Sequence, residues 1–229
     1  AEYPPFSYLD ENGEYTGFDV EVCKAACDLL GWEYKAFPVN WEQKLVQLDQ
    51  KECDCIWSGM TILDSMKTSG YTLSAPYYDN TQVIMVKEGS AVKSSKDLAG
   101  LTVAVQLGTS GESLLNKGGD LESLAATFKE LVRCDSFLKC FTELGGNAVD
   151  AVIVDKPVAE SYAAKNAGFT VLGEELGAEQ YGIAFRSGDK ELCEAIEGAV
   201  KTLVENGTYA KIAAKYPDIS TNNLLFLNK

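Results

Sequence analysis

The chain has 229 residues, 46% of them apolar and 24% charged, enough for one large domain or two lobes of ordinary globular composition. Its 34 acidic and 20 basic residues leave a net charge of −14, which a phosphate backbone repels, so nucleic acid is excluded as a partner and the acidity reads as a solubility device. The absence of histidine removes the commonest general base, the commonest zinc ligand and every Ser-His or Cys-His nucleophile pair.

The elements alternate along the chain. "YTGFDVEVCKAACDLLG" carries Phe18, Val22, Ala25, Ala26, Leu29 and Leu30 on one helical face and stops at Gly31. "WEYKAFPV" reads as a strand. "NWEQKLVQLDQKE" reads as a helix with Asn40 as N-cap. "CDCIW" is a short buried strand that runs into a Ser58-Gly59-Met60-Thr61 turn. "QVIMVK" is another strand, followed by the polar link "EGSAVKSSKDLAG".

The pattern then restarts. "LTVAVQLG" is a buried strand and "TSGESLLNK" opens a helix. "FKELVRC" is a strand, and Asp135 or Ser136 can cap the helix "DSFLKCFTELGG". "VDAVIVD" is a strand, "KPVAESYAAKNAG" a helix with Pro157 in its first turn, and "FTVLG" and "EQYGIAFR" are strands. Two amphipathic helices follow, one ended by Gly207 and one before Pro217. This alternation implies an α/β protein with mostly parallel sheets. The restart and the late helices imply two lobes, residues 1–84 with 182–229 and residues 85–181, so that the chain crosses twice.

Seven cysteines include no C-x-x-C pair, which makes zinc a weak reading. Cys23 and Cys27 share a helix face, and Cys53 and Cys55 share a strand face. If that helix packs antiparallel on that strand, Cys23 would meet Cys55 and Cys27 would meet Cys53. Buried free thiols are the alternative. No apolar run reaches the roughly 18–20 residues that span a bilayer, and any targeting signal is expected outside the sequence given.

Several segments go beyond architecture. "GFDVEVCKAACDLL" resembles the signature of the polar amino-acid-binding family of extracellular solute-binding proteins (family 3), and "YPPFSYLDENGEYTGFD" resembles that family's opening. "AVQLGTSGE", "DAVIVDKPVAE" and "VENGTYAKIAAKY" resemble its later landmarks, in order. The resemblance covers nearly the whole chain. It implies a two-lobed periplasmic-binding-protein fold, with a sheet and flanking helices in each lobe and a two-strand hinge. It also implies a monomeric receptor, in the periplasm or lipid-anchored at the outer face of the membrane. Such a receptor captures an amino acid or similar small molecule and delivers it to the membrane permease of an ABC importer, without cofactor, metal or chemistry of its own. The family's opening strand precedes the "YPPF" segment and is expected upstream of Ala1.

The resemblance also assigns roles. Ser58, Gly59 and Thr61, with Thr109 and Ser110 after Gly108, would bind a carboxylate through hydroxyls and backbone N–H groups; helix capping is the competing role. Asp155, at the C-terminal tip of a strand, would bind the ammonium, or else cap the following helix. Tyr3 and Trp41 would wall the side chain, and Gln106 would read it. The family's arginine after the Ser-Gly-x-Thr segment is missing. Only Arg133 and Arg186 are present, and Met66 or Lys67 stands at the matching place. Lys67 would supply charge as a mobile point donor rather than a planar fork. The uncharged walls favour a polar neutral or aromatic amino acid. Two other readings share the scaffold: a sensory input domain of a larger receptor, and a dehydratase-like enzyme for which Glu112 would be the candidate acid or base.

Overall fold

The computed structural model describes residues 3–227. In chain order the elements are β1 (Tyr8–Leu9), β2 (Tyr15–Thr16), α1 (Phe18–Leu30), α2 (Lys44–Asp49), β3 (Ile56–Thr61), α3 (Asp64–Thr68), β4 (Thr72–Leu73) and β5 (Tyr78–Lys87). They continue as β6 (Thr102–Gln106), α4 (Ser110–Leu115), α5 (Glu122–Ala125), β7 (Glu130–Cys134), α6 (Phe137–Gly145), β8 (Ala151–Asp155) and α7 (Lys156–Lys165). Last come β9 (Phe169–Phe185), α8 (Lys190–Glu205) and α9 (Thr208–Ala213). The expected strands "FTVLG" and "EQYGIAFR" are one continuous strand, β9. No described helix is long and apolar enough to cross a membrane.

The chain forms two compact units. One holds Tyr3–Asp79 and the described residues from Glu179 on, the other Asn80–Ala178. The crossings fall a few residues before the expected 84/85 and 181/182.

In the first unit, β3 and β4 pair antiparallel with the end of β9, and β1 pairs with β2. Helix α1 packs on β3, α8 and α9. It ends where Gly31 enters the left-handed region at φ 68°. Leu48, Ile56, Met60, Met66 and Ala184 form a core cluster, with Trp41 and Leu63 packed against it. The acidic residues of the "GFDVE" stretch have structural partners. Asp19 bonds Gly59 and Tyr77, while Glu21 accepts from Tyr216 Oη and pairs with Lys215.

The expected strand over 32–39 is absent. Residues 33–39 run without helix or ladder, and none of their backbone groups makes a hydrogen bond among the described residues. The sequence has the strand pattern, but a ladder needs a neighbour. A cavity of about 700 Å³ lies there instead, walled by this segment, by residues 52–58 and by α1. Cys23, Cys27, Cys53 and Cys55 all line it, and all seven cysteines are free thiols.

In the second unit, β6 pairs parallel with β7 on one side and β8 on the other, and β5 joins β8 antiparallel. The parallel arrangement expected from the alternation is therefore found in β7-β6-β8, within a mixed set of pairings. Ile84, Val86, Leu98, Val103, Val105, Leu115, Ala151 and Ile153 build the core. The C-terminal ends of β6 and β8 carry Gln106 and Asp155, the position at which parallel α/β strands present ligand groups.

Candidate ligand-binding site

The residues named from the sequence gather into one set in each unit. In the first unit Tyr3 is the centre. Its hydroxyl bonds Tyr181 Oη at 2.6 Å, and its ring lies nearly parallel to Trp41, with 6.5 Å between centroids and 9° between planes. Residues 3 and 7 bond through Tyr3 N–H to Ser7 O at 2.8 Å, and Ser7 Oγ shares a short hydrogen bond with Ser58 Oγ. The Lys44 ammonium stands 4.7 Å from the Trp41 ring centroid, so this ring face already engages a cation.

Ser58, Gly59 and Thr61 lie inside β3, not in a turn after it. The strand continues because Met60 pairs with Gly182 and Thr61 with Tyr181, past an irregularity after Ile56. Gly59 absorbs that irregularity at φ 55°. Its N–H donates to Asp19 Oδ2 at 2.7 Å and lies 3.2 Å from Tyr77 Oη, so this donor faces inward. Ser58 Oγ and the Thr61 hydroxyl are the polar groups the strand can offer, and the latter has no hydrogen bond among the described residues. An added Cβ at Gly59 would sit 2.2 Å from Tyr3 Cε1. Gly59→Ala is expected to destabilise the protein by about 1–3 kcal/mol through strain and the displaced Tyr3. A urea midpoint equal to that of the unsubstituted protein would contradict this geometry.

Asp19 is fully buried, and burial raises its carboxyl to about 7; bonds from Tyr77 Oη and the Gly59 N–H hold the rise back only in part. Neither this residue nor Tyr77 was picked out from the sequence.

Lys67 stands apart from this set. Its ammonium pairs with Asp64 of its own helix at 2.9 Å, and both side chains are largely exposed. Met66, the other residue at the place of the missing arginine, is buried in the first unit's core cluster. An exposed i,i+3 pair contributes little. Lys67→Ala should leave ligand affinity within about threefold by calorimetry, under about 0.7 kcal/mol. A tenfold loss would place the lysine on the ligand.

In the second unit the named residues fall into two hydrogen-bonded sets, Thr109 with Gln106 and Asp155 with Ser110 through Gln82. Thr109 is the N-cap of α4: its hydroxyl donates to Gln106 O at 2.8 Å and accepts from Glu112 N–H at 3.2 Å. Capping is thus the role of its side chain. The backbone N–H groups of Thr109, Ser110 and Gly111 have no acceptor among the described residues. Gln106 is buried and its amide has no hydrogen bond among the described residues. Asp155 is 4% exposed and makes no capping bond to α7. Its Oδ1 accepts instead from Asn80 Nδ2 at 2.7 Å and Gln82 Nε2 at 2.8 Å. Gln82 Nε2 also reaches Ser110 Oγ at 3.3 Å.

Asn80 and Gln82 went unnoticed in the sequence reading. The signal was there: three polar residues, Asn80, Thr81 and Gln82, begin an apolar strand and are all buried. Glu112 is accounted for structurally. One oxygen accepts from Gly108 N–H at 2.8 Å and the other pairs with Arg133 Nε at 2.8 Å. Among the described residues no group of three or more acidic or cysteine side chains is arranged to hold a metal ion.

The profile of the bacterial extracellular solute-binding proteins, family 3, matches residues 1–218. A probable histidine-binding protein of Neisseria gonorrhoeae is 32% identical over 223 residues, covering 94% of this chain and 80% of its own. The arginine-binding extracellular protein ArtP of Bacillus subtilis (strain 168) is 34% identical over 221 residues, covering 94% and 83%. The solved structure of an ancestral arginine-binding protein bound to arginine superposes with a TM-score of 0.86 at 36% identity, covering 95% of both chains.

Proposed function

Because the chain belongs to the bacterial extracellular solute-binding proteins of family 3, we propose that it captures an α-amino acid outside the cytoplasm and hands it to the membrane permease of an ABC importer. The observation that carries this reading is Asp155. A buried carboxylate at a strand's C-terminal end, with one oxygen fixed by two amide donors, is a pre-organised acceptor for an ammonium group.

The ligand carboxylate then falls to donors that the rest of the fold leaves available. In the second unit these are the N–H groups of Thr109 and Ser110. No arginine fork is required, and Lys67 is at most a peripheral charge. In the first unit, Tyr3 and Trp41 are the candidate wall for the side chain. Two nearly parallel aromatic rings favour a flat, delocalised group such as an amide, an imidazole, a guanidinium or an aromatic ring. The named relatives are a probable histidine-binding protein and an arginine-binding protein, and both ligands are of this kind.

No catalytic step is part of this reading, since Glu112 is held by Arg133 and Gly108. We take the working unit to be a monomer, held in the periplasm or at the outer membrane face.

The test is calorimetric titration of protein freed of bound ligand, by unfolding and refolding, against the twenty amino acids. One or a few flat-side-chain amino acids should give saturable binding. Silence across the panel overturns the proposal.

A further inference from the structure

Two buried cysteines outside the ligand set sit against each other in the second unit. Cys134 is the last residue of β7 and the register partner of Gln106 on β6. Its carbonyl accepts from Leu107 N–H at 2.8 Å, so it helps hold the chain leading to the Gly108 turn. Cys140 lies on the buried face of α6, between Phe137 and Phe141. Only the short corner at Asp135-Ser136 separates strand from helix, and Ser136 fixes that corner by accepting from Lys139 N–H at 3.3 Å. The two thiols are 5% and 0% exposed, and one hydrogen-bonds the other. The chain has no histidine to pair with them, and no metal-binding group of three or more acidic or cysteine side chains includes them among the described residues.

We propose that Cys134 and Cys140 form a disulfide in the exported protein, a modification that locks the corner between β7 and α6 beside Gln106. Proteins of this family are extracellular, where disulfides persist. The oxidant is a low-molecular-weight disulfide. One cysteine thiolate attacks a sulfur of the oxidant and expels one thiolate, giving a mixed disulfide. The second cysteine thiolate then attacks the protein sulfur of that mixed disulfide and expels the other half. Both cysteine protons pass to the two expelled thiolates, so the protein loses two electrons and two protons and the oxidant becomes two thiols. Burial raises both thiols above their ordinary range, which keeps them protonated and unreactive once α6 has docked. The bond therefore forms faster during folding than afterwards. None of this depends on which ligand the protein binds.

The test uses the unsubstituted chain. Reduced, unfolded protein is refolded in a mixture of reduced and oxidised glutathione, its remaining thiols are blocked in denaturant, and it is digested and mapped by mass spectrometry. The peptide carrying Cys134 and Cys140 should appear internally linked, lighter by two hydrogen masses, and should take up blocking reagent at both sites only after reduction. In a parallel sample, oxidised glutathione is added to protein already folded under reducing conditions. The same bond should appear there at least about tenfold more slowly. Blocking reagent on both cysteines without reduction, a link from either one to another cysteine, or equal rates in the two samples would overturn the proposal.

Discussion

Asp155→Asn is expected to weaken amino-acid binding by about a hundredfold to a thousandfold, or about 3–4 kcal/mol, while the protein stays folded. The substitution is close to isosteric. The asparagine oxygen can still accept from Asn80 Nδ2 and Gln82 Nε2, so the hydrogen bonds at Oδ1 survive. What disappears is the negative charge that balances the ligand ammonium in a nearly buried position. An ammonium transferred from water to a site without its counter-charge meets a desolvation cost with little return. The measurement is calorimetry on the amino acid that binds the unsubstituted protein, alongside a thermal melt of both proteins. Affinity within threefold, with both proteins folded, would remove Asp155 from the ligand and with it the main support for the proposed function.

The second large effect concerns stability and pH. Asp19 titrates near 7 in the folded protein against an ordinary value of 3.8, because burial penalises its charged form. The folded state therefore holds a proton that the unfolded chain has already released between these values, and stability falls as pH rises through this window. Moving a carboxyl from 3.8 to about 7 corresponds to about 4 kcal/mol between the two limits, of which about 2–3 kcal/mol falls between pH 5 and pH 8. Urea unfolding at those two pH values should show that loss, and Asp19→Asn should abolish most of it while keeping acceptors for Gly59 N–H and Tyr77 Oη. An equal pH dependence in the two proteins would mean that Asp19 is ionised in both states. The consequence reaches the site, because Asp19 holds the N–H of Gly59, and the ring of Tyr3 lies against that glycine.

Much of this was legible in the sequence. Periodicity placed α1, and Gly31 marked its end; Pro157 and Ser136 marked helix starts. Motif order supplied the family; in the structure Gln82 bonds both Asp155 and Ser110, and the Thr109 hydroxyl bonds the Gln106 carbonyl. Other features depend on partners distant in sequence. Residues 32–39 have a strand's pattern, yet a strand exists only when another backbone lies alongside. Ser58 and Gly59 look like turn residues, but pairing of β3 with β9 draws them into a strand. Asn80 and Gln82 matter through Asp155, more than seventy residues away. Lys67 was weighed by its place after a motif, whereas Asp64, three residues before it, decides where its ammonium goes.

The unladdered segment beside the cavity has a bearing on how the molecule fails. Its backbone makes no hydrogen bond among the described residues, so opening it breaks no ladder described there, unlike opening β6 or β8. Trp32 and Phe37 are exposed on it, at 41% and 37%. Extended, with no ladder among the described residues, it offers an edge on which a further strand can add.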